Sequence, residues 1–123
     1  MPETIQPSYL LHYLGVLLIA YSLVLIFHYS KTTLGTKNVI GGYGRGRVKA
    51  SQEAWAVGQK IAGRWIFGYG VIEIVLGIIT NVISPTFTGL MFQVGFSYLS
   101  IPLYMIGIEL HMRKIFSEDG KRK

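Results

Sequence analysis

The sequence predicts an all-α integral membrane protein with three transmembrane helices and a cytoplasmic loop containing a short amphipathic helix. Three observations carry this expectation. Hydrophobic residues make up 50% of the 123 residues and the mean hydropathy is +0.41, high for a soluble chain of this length. Three apolar stretches, at about 8–30, 65–83 and 87–110, each come near the ~20 residues that a helix needs to cross a hydrocarbon core. The basic residues are confined to the segment between the first two stretches and to the segment after the third. Residues 1–123 are read as a single membrane domain.

Within the first stretch, the ionisable residues besides tyrosine are His12 and His28. No basic region precedes it, and its positive charge begins afterwards, at Lys31. No small-residue cleavage site follows, so a permanent span is expected rather than a cleaved leader. The second stretch carries Glu73 and Asn81, and the third carries Gln93 and Glu109. Soluble helices show polar stripes at helical spacing, which these segments lack. Between them, Ser84-Pro85-Thr86 reads as a tight turn. Ser84 is expected to cap the third helix, with Pro85 at its first position, where no backbone donor is lost.

Orientation follows from charge. Of twelve Lys and Arg residues, seven (Lys31, Lys37, Arg45, Arg47, Lys49, Lys60, Arg64) precede the second span and five (Arg113, Lys114, Lys121, Arg122, Lys123) follow the third. Cytoplasmic flanks accumulate such residues, which places loop 31–64 and tail 111–123 inside and the N-terminus outside. The net charge of +6 thus sets topology and holds the loop against anionic lipid headgroups. Direct nucleic-acid binding is not expected. Arg45-Gly46-Arg47 is short and tethered at a membrane, with Tyr43 its sole aromatic neighbour.

The loop has two halves. Gly41, Gly42, Gly44 and Gly46 disfavour helix and call for a turn, with a positive φ looked for at Gly42. Their spacing matches neither common phosphate-binding pattern. From Ser51 the character changes: Ser51 is suited to an N-cap and Glu53 to the first helical turn. Trp55, Gly58, Ala62 and Trp65 follow at spacings of three and four and form one apolar face. This is the amphipathic helix, expected to lie along the inner headgroup region. Gly58 and Ala62 form a small-residue pair that permits close helix contact. The helix reads equally as an interfacial lead-in and as a recognition element.

The order Asn38, Ile40-Gly41, Gly42-Tyr43, basic residues, Ser51, Glu53, Trp55, Gln59 and Gly63, followed by a span, resembles the SdpI family. That family's pattern runs roughly N-x-x-x-G-Y-R-T, a basic and serine-containing stretch, then W-x-x-A-x-x-x-x-G. Asn38, Gly42, Tyr43, Trp55 and Gly63 match it at or near its spacing, while Gly44-Arg45 replaces the Arg-Thr step and Gly58 the alanine. The match covers about the central third of the chain plus the three-span layout. The resemblance implies a bacterial plasma-membrane protein that confers immunity to a secreted toxic peptide. It also implies a second task known in some members, holding a cytoplasmic transcriptional repressor at the membrane. Asn38, Gly42, Tyr43, Arg45, Trp55, Gln59, Gly63 and Glu73 are then the candidate toxin- or partner-binding residues.

Glu73 lies mid-span, where a charge costs roughly 2.5–3.5 kcal/mol on insertion scales, so it must face other helices or water, or carry a proton. It is either a functional site or the acceptor of a structural hydrogen bond from a Tyr, a Ser or Gln93. Glu109, at the inner end of span three, precedes Arg113 by four residues, and a local salt bridge is expected. With no cysteines, and with His12 and His28 sixteen residues apart, no metal site is expected; His28 and His111 lack a third ligand. No nucleophile, base and orienting group occur together, so neither an enzyme nor a cofactor is expected. The alternative to immunity is a proton-coupled carrier using Glu73, which needs a homo-oligomer, or a small subunit of a larger membrane complex.

Overall fold

The computed structural model describes residues 9–123, with the side chain of Asn38 outside the description. Ser8, where the first span is expected to begin, also lies outside the described residues. Three helices dominate: α1 (Leu10–Phe27), α2 (Gln52–Ile83) and α3 (Phe87–Ile115). Between α1 and α2 run three short 3-10 turns, Tyr29–Lys31, Lys37–Val39 and Gly46–Lys49. All three helices are long and apolar enough to cross a membrane. Their outer faces expose residues such as Val16, Phe27, Ile79, Leu99 and Ile106, an apolar surface that water would not tolerate over this extent.

The amphipathic segment is not a separate helix, which corrects the sequence reading. Residues 52–64 form the first turns of α2, whose 32 residues run without a break into the apolar segment. At a rise of ~1.5 Å per residue this helix is ~48 Å long, well beyond a hydrocarbon core of ~30 Å. Nothing between Gln52 and Ile83 forces an interruption: there is no proline, and the glycines are separated by residues that keep the helix hydrogen-bonded. The start is as expected. Ser51 is extended, its Oγ accepts from the Ala54 N–H at 3.0 Å, and Glu53 sits in the first turn.

The second turn differs in detail. Thr86, not Ser84, is the N-cap of α3, and Pro85 stands before the cap rather than at the first helical position. The reason is the tightness of the reversal. Ser84 is still held by α2, its N–H donating to the Thr80 carbonyl at 2.8 Å, while Gly89 of α3 passes directly over the Ser84 carbonyl. Thr86 is then the first residue free to adopt the extended backbone that an N-cap requires.

Helices α1 and α2 pack antiparallel along a seam of glycines at intervals of seven: Gly63 meets Ile26 and the Ser22 carbonyl, Gly70 meets Gly15, and Gly77 meets Leu11 and His12. Small residues let the two backbones approach closely, the usual basis of helix association in lipid. Of the small-residue pair Gly58 and Ala62, Gly58 lies outside this seam and receives Val48 from the loop. Helix α3 packs on α2 as well, so α2 is central and α1 and α3 diverge across it.

Candidate functional site

The loop folds back over the first turns of α2 and the last turns of α3, and its anchors are two glutamines one heptad apart. Gln52 accepts from the Leu34 N–H at 2.6 Å and donates to the Thr32 carbonyl at 3.0 Å. Gln59 is fully buried, accepts from the Tyr43 N–H at 2.9 Å and donates to the Tyr43 carbonyl at 2.7 Å. The indole N–H of Trp55 donates to the Tyr29 carbonyl at 2.9 Å and to Thr32 Oγ1 at 3.0 Å. Tyr29 in turn donates its hydroxyl to the Ile40 carbonyl at 2.7 Å. Trp55 is therefore enclosed by the loop at 2% exposure instead of facing headgroups.

The glycines fit around these rings. Gly41, at φ +93, takes the left-handed conformation expected of Gly42. Gly42 has an ordinary backbone, and its constraint is steric: a Cβ there would stand 3.0 Å from the Trp55 ring and 3.1 Å from Tyr29. Gly46, at φ +60, leaves room for the Glu109 carboxylate. That carboxylate accepts from the Arg47 N–H and from Arg113 Nε, each at 3.1 Å, so the expected local salt bridge also clamps the loop to α3.

The C-terminal tail closes the cap. Phe116 is fully buried, Arg47 donates to its carbonyl at 2.9 Å, and the Arg122 guanidinium lies 5.3 Å from its ring centroid. Arg122 also pairs with Glu53, and Ser51 Oγ donates to the Gly120 carbonyl at 2.8 Å. Tyr43 sits inside this assembly. Burial, followed by the nearby Glu109 carboxylate, pushes its phenol up to about 12.

Of the eight candidate residues, Gly42, Tyr43, Trp55 and Gln59 are therefore brought into one interlocked unit. Gly63 lies a turn further along α2 and belongs to the glycine seam. Arg45 is exposed beside the unit, and the Asn38 side chain lies outside the described residues. Glu73 stands apart. It is buried among the helices, and its Oε1 accepts from Ser100 Oγ at 2.9 Å, one of the partner types expected for it. The sequence reading missed Gln52, Gly70 and Gly77. The interval of seven from Gly63 to Gly77 was the available signal.

Near the same end of the molecule, His111 Nδ1 accepts from the Trp65 indole at 3.5 Å. Among the described residues, no three His, Asp or Glu side chains gather closely enough to hold a metal ion.

Fold and site together define a multi-pass, all-α membrane protein with a structured cap at its basic end. No protein-family model matches the chain, and comparisons with curated proteins and with solved structures return no match either.

Proposed function

We propose that the chain is an immunity protein of the bacterial plasma membrane, protecting its host from a secreted, membrane-active peptide. The observation that carries this reading is the interlock of Gly42, Tyr43, Trp55 and Gln59. These residues carry much of the resemblance to the SdpI family, and their spacing has a common physical purpose: each is needed to seat the loop on α2.

In this reading the buried four are supports, not contacts. The contact surface is the exposed basic rim that they hold in place, with Arg45 and Lys49 from the loop, Lys60 and Arg64 from α2, and Arg113 and Lys114 from α3. On the cytoplasmic side this rim suits anionic headgroups and, where the protein also signals, an acidic face of a repressor. The peptide is intercepted at the membrane by the same cap or by the spans beneath it.

Expression in a sensitive strain exposed to the peptide encoded beside the gene tests the proposal. Survival is expected, and it should be lost in Gly42→Val while the protein stays inserted. Absence of protection by the wild type, or full protection by both Gly42→Val and Tyr43→Ala, overturns it.

A further inference from the structure

Helices α1 and α3 diverge over the middle of α2 and leave a cleft of about 470 Å³ between them. Its walls are aliphatic, with Leu10, Leu14, Leu17 and Leu18 on α1 facing Val94 and Ile101 on α3. Its floor is Glu73 of α2. That volume falls in the range of pockets that enclose small organic ligands, and an apolar wall with very few convergent polar groups is their usual composition.

The floor has an unmet need. Glu73 is 1% exposed; Oε1 is occupied by Ser100 Oγ, whereas the buried Oε2 has no hydrogen-bond partner among the described residues. No basic residue lines the cleft, and all twelve Lys and Arg lie in the loop, the first turns of α2, the end of α3 and the tail. A carboxylate oxygen buried in low dielectric is stabilised most by a charged N–H donor. None of the described residues supplies one there. Tyr98 and Tyr104 add two aromatic rings to the lining, the side chains that attract cations through their π faces. With α2 as floor, the mouth opens sideways between α1 and α3, toward the hydrocarbon that surrounds the spans.

We propose that this cleft binds a lipophilic amine, a compact apolar body bearing one protonated nitrogen that donates to Glu73 Oε2. The ligand enters from the bilayer, its body lies against the leucines of α1, and its nitrogen completes the hydrogen bonding of the buried acid. This site is separate from the loop cap, and the inference stands whether or not the protein confers immunity.

The test uses the full chain in nanodiscs of neutral lipid, with glutamate labelled by carbon-13 at the side-chain carboxyl. The probes are 1-aminoadamantane and its uncharged counterpart 1-adamantanol, which match in shape and differ in charge. Carboxyl resonances and the ring resonances of Tyr98 and Tyr104 are followed by nuclear magnetic resonance, with Glu73 assigned by its disappearance in Glu73→Gln. The amine should shift the Glu73 carboxyl saturably, and the alcohol should bind at least roughly tenfold more weakly, the usual margin for a charge-assisted hydrogen bond. Glu73→Gln should weaken the amine response of the tyrosine rings by a similar factor. Leu14→Trp, which fills the cleft and leaves Glu73 in place, should abolish it, and this variant decides the matter if Glu73→Gln fails to fold. A non-saturating shift, equal binding of amine and alcohol, tighter binding of the alcohol, or an unchanged response in Leu14→Trp each overturns the proposal.

Discussion

The side-chain amide of Gln59 and the backbone amide of Tyr43 exchange two hydrogen bonds, at 2.9 and 2.7 Å, inside the protein and away from water. A helix residue thereby satisfies the backbone of a loop residue sixteen positions earlier, and the loop needs no strand or helix of its own at that point. Gln59→Leu keeps the volume and removes both partners. Each buried backbone group left unpaired costs about 1–3 kcal/mol. The loop should detach before the spans unfold, so trypsin should cut at Arg45 and Arg47 much faster than in the wild type. An unchanged cleavage rate would show that the bonds do not hold the loop.

The contact between Gly42 and Trp55 predicts a coupled pair. Gly42→Ala places a methyl 3.0 Å from Cη2 and Cζ2 of the Trp55 ring. Trp55→Phe removes those atoms together with two hydrogen bonds of the indole N–H. Each single change should destabilise, and the double variant should be less destabilised than the sum by about 0.5–3 kcal/mol. Unfolding titrations in denaturing detergent measure the cycle, and strict additivity would refute the contact.

Tyr43 gives a pH signature. Its folded phenol is raised from 10.0 to about 12, so the folded state holds the proton more tightly than the unfolded chain does. The resulting stabilisation is complete below pH 10.0 and is lost as the pH climbs toward about 12. Tyrosinate absorbance, taken as the difference between wild type and Tyr43→Phe, should show this one phenol ionising about two pH units above a free tyrosine. Ionisation near 10.0 would mean that the phenol is not enclosed.

The glycine seam predicts sharp position dependence along α2. Gly70→Ala sets a methyl 2.8 Å from the Gly15 carbonyl, a backbone atom that cannot move alone. Overpacking of this kind costs about 1–3 kcal/mol and should separate α1 from α2. Gly68→Ala, two residues away, meets nothing within 4 Å and should leave stability unchanged or slightly raised. Thermal unfolding in one detergent compares the two, and equal effects would deny the seam.

Topology is open to a direct test because the chain has no cysteine. Thr88, exposed at the start of α3, and Lys37, exposed in the loop, each accept a single introduced cysteine. An impermeant thiol reagent applied to intact cells should label position 88, and position 37 only after lysis. The reverse pattern would invert the orientation drawn from the basic residues.

Much of the architecture was legible in the sequence because the bilayer demands it. A segment of about 20 apolar residues has few alternatives to a spanning helix, since lipid offers nothing to its backbone hydrogen bonds. The three helices, Ser51 as the cap of α2 and the Glu109–Arg113 pair follow from local composition and spacing. The continuity of α2 did not, because amphipathic character reports that one face is covered and not what covers it. The loop covers Trp55 and Gly58, where lipid headgroups were expected. The positive φ at Gly41 rather than Gly42 and the cap at Thr86 rather than Ser84 were likewise decided by neighbours from distant segments, Tyr29 in one case and the Ser84–Gly89 contact in the other. For Glu73 the sequence alone established that a mid-span acid must find shelter. Only the tertiary arrangement determined that it received a hydrogen bond from Ser100, that its second oxygen has no partner among the described residues, and that the residue lines the cleft between α1 and α3. Periodicity fixes which residues share a face of one helix, whereas the shape of the space between helices depends on how closely each pair approaches.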